Sequence, residues 1–195
     1  FDQRVAIKLI AAHAGQNPAL LRRFATEREI LATLDHPGIA RLIDGGETAE
    51  GWPYLVMEYV DGDPIDRWCQ TRLVPFERRI RLIIEVAEAL QAAHAMLIVH
   101  RDLKPANILV DSRGRTRLLD FGIAKPIDPS GLKNTVIETA AEQRLMTLRY
   151  ASPEQVRGER VGTASDLYAL GVVLYELLTG VSPYAAQERS SLDLM

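Results

Sequence analysis

Strand-like and helix-like segments are segregated along this chain, and the switch falls at Asp61-Gly62-Asp63-Pro64. Before it, Val5-Ala6-Ile7-Lys8-Leu9-Ile10 is apolar on both faces except for Lys8, which predicts a buried strand. Gly15, Asn17 and Pro18 open a helix predicted to run to about Leu34. A short strand is expected from Ile39 to Ile43, ending at Gly45-Gly46, and another from Trp52 to Val60. The loop between them allows antiparallel pairing, and Asp61 to Pro64 read as a closing turn. Helices follow. Pro75 precedes one with apolar residues at Phe76, Ile80, Ile83, Ala87 and Leu90. Two short strands, Ile108 to Val110 and Thr116 to Leu119, are joined by Asp111-Ser112-Arg113-Gly114-Arg115. Ala164 to Thr179 is apolar nearly all round, which predicts a buried helix ended by Gly180. The class is therefore α+β. Residues 1–60 form a small β-rich part with one helix, and residues 61–195 a larger, mainly helical part. A cleft at such a junction is a natural ligand site.

Composition narrows the functions. A net charge of −3 over 195 residues gives no whole-chain basic signal for nucleic acid. The single cysteine, Cys69, excludes an intrachain disulfide framework and fits a reducing compartment, so the cytoplasm is expected. No run of 18 apolar residues occurs, so no membrane segment is expected within this window. The first residue is Phe1, no signal peptide precedes the first strand, and the last residues carry no helix-ending signal. The chain therefore reads as a piece of a longer protein, which leaves room for a membrane anchor elsewhere. No period holds from Asp120 to Glu154, a length that marks a functional or mobile loop.

The chemistry rests on few residues. Lys8 in its apolar strand fits an edge lysine or a catalytic one, depending on a partner. Helix phase supplies a candidate. At about 100° per residue, Leu20, Phe24, Leu31 and Leu34 share a stripe with Glu27 at its centre, while Glu29 points away. A carboxylate on an apolar face is destabilising unless it meets a cation, or unless the register differs and leaves it solvated. His100-Arg101-Asp102-Leu103-Lys104-Pro105-Ala106-Asn107 lies between a helix and a strand. There Asp102 can accept a hydroxyl proton, Lys104 can neutralise phosphate charge, and Asn107 can offer an oxygen to a hard cation. Thirteen residues on, Asp120-Phe121-Gly122 ends a strand with a further carboxylate. Each element also reads as ordinary: a Pro-fixed polar loop, or a strand-ending Asp with a turn glycine.

Taken in order, these motifs resemble those of protein kinases, in particular the bacterial, eukaryotic-like (Hanks-type) Ser/Thr kinases; the handful together is far more specific than any one alone. The resemblance implies a two-lobed kinase fold that transfers the γ-phosphoryl group of ATP, with Mg²⁺ or Mn²⁺, to Ser or Thr hydroxyls of a protein substrate. It implies that Lys8, held by Glu27, positions the α/β-phosphates. Asp102 is the expected catalytic base, with Lys104 steadying the transferred group, and Asn107 and Asp120 are the expected metal ligands. Met57 is the expected gatekeeper, and Glu58, Tyr59 and Val60 the hinge that meets adenine. Arg101 is the expected partner of a phosphorylated activation-segment residue, for which Thr135 and Thr139 are the first choices. Thr147 matches the substrate-binding loop, with Met146 in place of the usual glycine. Ser152-Pro153-Glu154 stands for the usual Ala-Pro-Glu, so Glu154 is expected to be structural. Asp166 is expected to anchor the catalytic-loop backbone, and His100 to pack rather than act as a base. A glycine-rich loop is expected before Lys8 and further helices after Met195; neither falls in this window. The rival is a pseudokinase, a binding module on the same fold, against which stand the intact Lys8, Asp102, Asn107 and Asp120. A kinase–kinase dimer remains open.

Overall fold

In a computed structural model, residues 3–9, 28–29, 31–121 and 149–184 are described. Two small sheets and two long helices organise them. In the first sheet β1 (Val5–Leu9) and β2 (Leu42–Glu47) flank β3 (Pro53–Glu58), both pairs antiparallel. The β1 register sets Lys8 opposite Leu55 and Val5 opposite Glu58. In the second sheet β4 (Gly62–Pro64), β5 (Ile108–Asp111) and β6 (Thr116–Leu118) run in that order, again antiparallel. The helices are α1 (Ile65–Thr71), α2 (Phe76–Ala95), the short α3 (Pro153–Arg157) and α4 (Thr163–Thr179). Residues 28–29 and 31–32 are helical as well.

One apolar core carries the helical part. Leu82, Val86 and Leu90 of α2 meet Ile65 and Cys69 of α1, Ile108, Val110 and Leu118 of the second sheet, and Val173 and Leu177 of α4. The two sheets are stitched together by the chain before β2. Ile39 forms a parallel bridge to Leu118; the Ala40 N–H donates to the Leu118 carbonyl at 2.8 Å, and the Leu118 N–H to the Gly38 carbonyl at 2.7 Å.

Several expectations are corrected. Asp61 to Pro64 do not close a turn: Gly62–Pro64 form β4 against β5. Gly62 permits this approach, because a Cβ there would lie 2.6 Å from the Val110 carbonyl oxygen. The second strand is Leu42–Glu47, so Gly45-Gly46 lie inside it rather than past its end, and Ile39 contributes only the bridge to Leu118. The third is Pro53–Glu58, shorter than Trp52 to Val60. β1 is not buried on both faces: Val5, Ile7 and Leu9 are exposed. Among the described residues it pairs with β3 alone, and none of them covers its outer face. The buried stripe of α2 is Leu82, Ile83, Val86, Ala89, Leu90 and Ala93, shifted in phase so that Phe76 is 60% exposed. The α4 helix is not buried all round, since Leu167 and Tyr175, two turns apart, face outward. Gly180 does end it, in the left-handed conformation with φ 76°.

These phases separate two substitutions that sequence alone treats alike. Leu82→Ala is expected to destabilise the protein by about 2–5 kcal/mol, as for a large-to-small change in a closed core. Phe76→Ala is expected to change stability by only about 0.5 kcal/mol, as at an exposed position. Urea denaturation of both variants checks the order.

Candidate active site

The loop from His100 to Asn107 hangs from one buried carboxylate. Asp166, in the first turn of α4 and 1% exposed, accepts the backbone N–H of His100 at 2.8 Å and of Arg101 at 2.9 Å. His94, in the last turn of α2, meets the same carboxylate at 2.7 Å. Two donations from adjacent residues hold the backbone in a sharp bend, and Arg101 takes φ 66°, a conformation that side chains other than glycine rarely adopt.

His100 lies under this bend, fully buried, its ring 4.7 Å from that of Phe121. The Asp102 N–H donates to its Nδ1 at 3.3 Å, so the proton sits on Nε2, which donates to the Leu119 carbonyl at 2.8 Å. Burial pushes the His100 pKa below its ordinary value, against the pull of Asp166 and of the Leu119 carbonyl. The ring is a neutral spacer between two loops.

The chemistry-bearing side chains converge above it. Asn107, in a 3₁₀ turn that begins at Pro105, donates from Nδ2 to the Asp102 carbonyl at 2.8 Å and to Asp102 Oδ2 at 3.3 Å. Lys104 Nζ lies 3.3 Å from the same Oδ2. The Leu119 N–H donates to the Asn107 carbonyl at 2.9 Å, which brings Asp120 alongside. Asp120 has φ 49°, a second strained position, and its Oδ2 is 3.2 Å from Lys8 Nζ. Its Oδ1 is buried without a hydrogen-bond partner. That oxygen and Asn107 Oδ1 suit a hard cation that completes its shell with substrate phosphates and water. Among the described residues no group of three or more His, Cys, Asp or Glu side chains is placed to hold a metal unaided.

Lys8 therefore meets Asp120, a contact that sequence spacing did not reveal. Glu27 lies outside the described residues, as do Gly122, Thr135, Thr139 and Thr147. The exposed Glu29 and the inward Leu31 follow the predicted helix phase; Leu34 is buried but lies past the last helical residue. Met57 lines an apolar cavity together with Leu31, Leu34 and Leu55, and Asp120 and Phe121 lie on its wall. Glu58 ends β3, and Tyr59 and Val60 continue outside regular structure. Sequence reasoning missed the partner of the Glu58 side chain, Arg117 of β6. Its one signal was an arginine in a short apolar strand just before Asp120.

On the far side, Ser152-Pro153-Glu154 open α3 with a reciprocal cap between Ser152 and Gln155. Gln155 Nε2 donates to the Arg101 carbonyl at 2.8 Å, and Ser165 donates to Glu154. That hydrogen bond holds the Glu154 carboxyl below its ordinary pKa. Tyr150 donates to Glu176 of α4 at 2.6 Å, and burial keeps its hydroxyl protonated.

The chain matches the protein kinase domain family over residues 2–194 and belongs to it. It is 41% identical over 193 residues to the serine/threonine-protein kinase PknB of Mycobacterium tuberculosis, which covers 96% of this chain and 30% of that protein. The PknB of Mycolicibacterium smegmatis is 42% identical over 185 residues, covering 92% of this chain and 29% of the relative. The chain thus spans under a third of these curated relatives. The crystal structure of the Mycobacterium tuberculosis PknI kinase domain superposes with a TM-score of 0.71 at 30% identity, covering 94% of this chain and 66% of that one. The fold is that of a protein kinase. Among the described residues no helix is long and apolar enough to cross a membrane.

The His100 environment fixes a pH dependence. The folded state keeps this ring neutral with a pKa below 6.5, whereas the unfolded chain protonates near that value. The contribution is complete above the unfolded pKa and is lost as pH falls towards the folded one. Thermal unfolding is expected to shift to lower temperature between about pH 7 and pH 5. His100→Phe is expected to flatten that slope, whatever it does to the absolute stability.

Proposed function

We infer that this chain carries the catalytic centre of a protein serine/threonine kinase, which transfers the γ-phosphoryl group of ATP to Ser or Thr hydroxyls of protein substrates. The observation that carries this reading is the continuous set of contacts from Lys8 through Asp120 to the Asn107, Asp102 and Lys104 cluster. Kinship to serine/threonine-protein kinases supports it. In a transfer of this type the protein supplies positioning and charge stabilisation.

Asp102 Oδ2, steadied by Asn107 and Lys104, accepts the hydrogen bond of the substrate hydroxyl and takes its proton. Lys104 offers its ammonium to the moving phosphoryl group. Lys8 leaves Asp120 for the α/β-phosphates, with Glu27 as its helix partner. Asp120 and Asn107 would hold Mg²⁺, or Mn²⁺ in its place, and a bound ion offsets phosphate charge there. Adenine lies against the backbone of Glu58 and Val60, with Met57 behind it. ATP is a cytoplasmic metabolite, so the domain works on that side, whatever the rest of the protein adds.

Asp102→Asn is expected to lower phosphotransfer by about 10²-fold or more, the scale of a lost general base. Asp120→Asn is expected to lower it through the metal, so that excess Mg²⁺ or Mn²⁺ recovers part of the rate; radiolabelled ATP assays on the full-length protein distinguish the two. A wild-type protein that binds ATP and never turns over would instead be a binding module. Glu27→Gln and Lys8→Met are each expected to depress the rate strongly, and the double variant to lose much less than their sum. Glu29→Gln is expected to change little, and equal mild effects at Glu27 and Glu29 would refute the helix phase.

A further inference from the structure

The roles above leave the bridge between Glu58 and Arg117 unused. Arg117 stands in the middle of β6, three residues before Asp120, and Glu58 directly follows Met57. The Arg117 guanidinium donates from Nη2 to Glu58 Oε2, and from the same nitrogen to the Ile39 carbonyl at 3.3 Å. Glu58 Oε2 also accepts the Arg41 N–H at 3.3 Å, while the Glu58 N–H donates to the Arg41 carbonyl at 2.9 Å. The segment from Gly38 to Arg41 is thus tied to β3 through Glu58 and to β6 through Leu118 and Arg117.

An exposed ion pair would mean little here. This one is sheltered on the arginine side: the Arg117 side chain is 15% exposed, and its Nε is buried without a partner. A guanidinium with one nitrogen already unsatisfied depends on the carboxylate it retains. The same carboxylate belongs to the residue whose main chain meets adenine on the kinase reading, and the same arginine lies on the strand that delivers Asp120.

We propose that Arg117 is a positioning residue: through the Glu58 carboxylate it fixes the adenine-contacting end of β3 against the strand that leads to Asp120. The proposal rests on the kinase reading for the site it serves. Its effect falls on nucleotide binding, because the bridge touches neither Asp102 nor the transferred group.

The test uses the full-length protein with Arg117→Gln, Glu58→Gln, the double variant, and Arg117→Lys as the conservative replacement. Arg115→Gln, at an exposed neighbouring arginine, is the control. Each single neutralising variant is expected to raise the KM for ATP roughly tenfold while kcat stays within a factor of about three. The double variant is expected to be no worse than the worse single, since one interaction is lost either way. Arg117→Lys is expected to recover part of the affinity, and Arg115→Gln to match wild type. Unchanged KM in both single variants, additive losses in the double, or a fall in kcat alone would overturn the proposal. A rise in kcat would overturn it too, and make the bridge a restraint on turnover. Direct titration of Mg-ATP binding by calorimetry runs alongside. If wild type binds ATP without phosphotransfer, the kinase reading fails, and the Kd of the same variants still decides the proposal. Glu58→Gln keeps size and shape, so it answers the question even if Arg117→Gln does not fold.

Discussion

The buried carboxylate of Asp166 is the point from which the site is built. An ionised group that is 1% exposed is costly unless donors surround it, and three do: two backbone N–H groups and the His94 ring. The exchange is mutual. The carboxylate is satisfied only if the loop bends as it does, and the left-handed Arg101 is tolerated because the carboxylate holds its N–H and that of His100. Asp166 is set in place by α4, which packs through Ala169, Val173 and Leu177 into the core that holds α2. Core packing of the helical part is thereby converted into the position of Asp102.

From that loop, rigidity passes outward by backbone bonds more than by side chains. The Asn107 carbonyl takes the Leu119 N–H, and His100 takes the Leu119 carbonyl, so both polar groups of Leu119 are pinned just before Asp120. Leu118 in turn exchanges bonds with Gly38 and Ala40, which carries the same order to the entrance of β2. The first sheet is reached last, and it is the less sheltered of the two. Among the described residues its strand β1 pairs with β3 alone, and Lys8 is delivered from there to Asp120. One end of the Lys8–Asp120 pair therefore follows from the packed core and the other from the first sheet. Such a pair is easily rearranged, as the exchange of carboxylate for phosphates proposed for Lys8 requires.

What the sequence disclosed and what it concealed divide along physical lines. The motifs from Lys8 to Glu154 were legible because each needs particular residue types at a fixed spacing, and their order led to the family that the comparisons then established. The helices and the second hairpin were legible from period and turn chemistry. Burial was not: β1 has a buried composition, but among the described residues it pairs with β3 alone and Ile7 is 65% exposed. The α2 face was misphased because Phe76 is more hydrophobic than Ala89, while the helix packs through its small residues too. Gly62-Asp63-Pro64 has turn composition and became a strand because β5 lies close enough to demand a glycine. Glu58–Arg117 joins residues 59 positions apart, beyond any local pattern.

The charge arrangement links these strands of the argument. Lys8 faces Asp120 and Lys104 faces Asp102, so each acid carries a cation while one oxygen of Asp120 stays without a partner. A site of this kind does not need to be neutralised by its substrate in order to fold. It is paired in advance, at distances of 3.2 and 3.3 Å, by lysines whose side chains are 37% and 25% exposed and therefore retain access to solvent. Lysine suits that duty better than arginine, because a compact ammonium on a flexible stem changes partners without losing a two-pronged geometry. Arginine is used where the partner is not meant to change, at Glu58, where the planar group bonds a carboxylate and a backbone carbonyl together. On the proposed roles, the choice of cation follows from whether the contact must move.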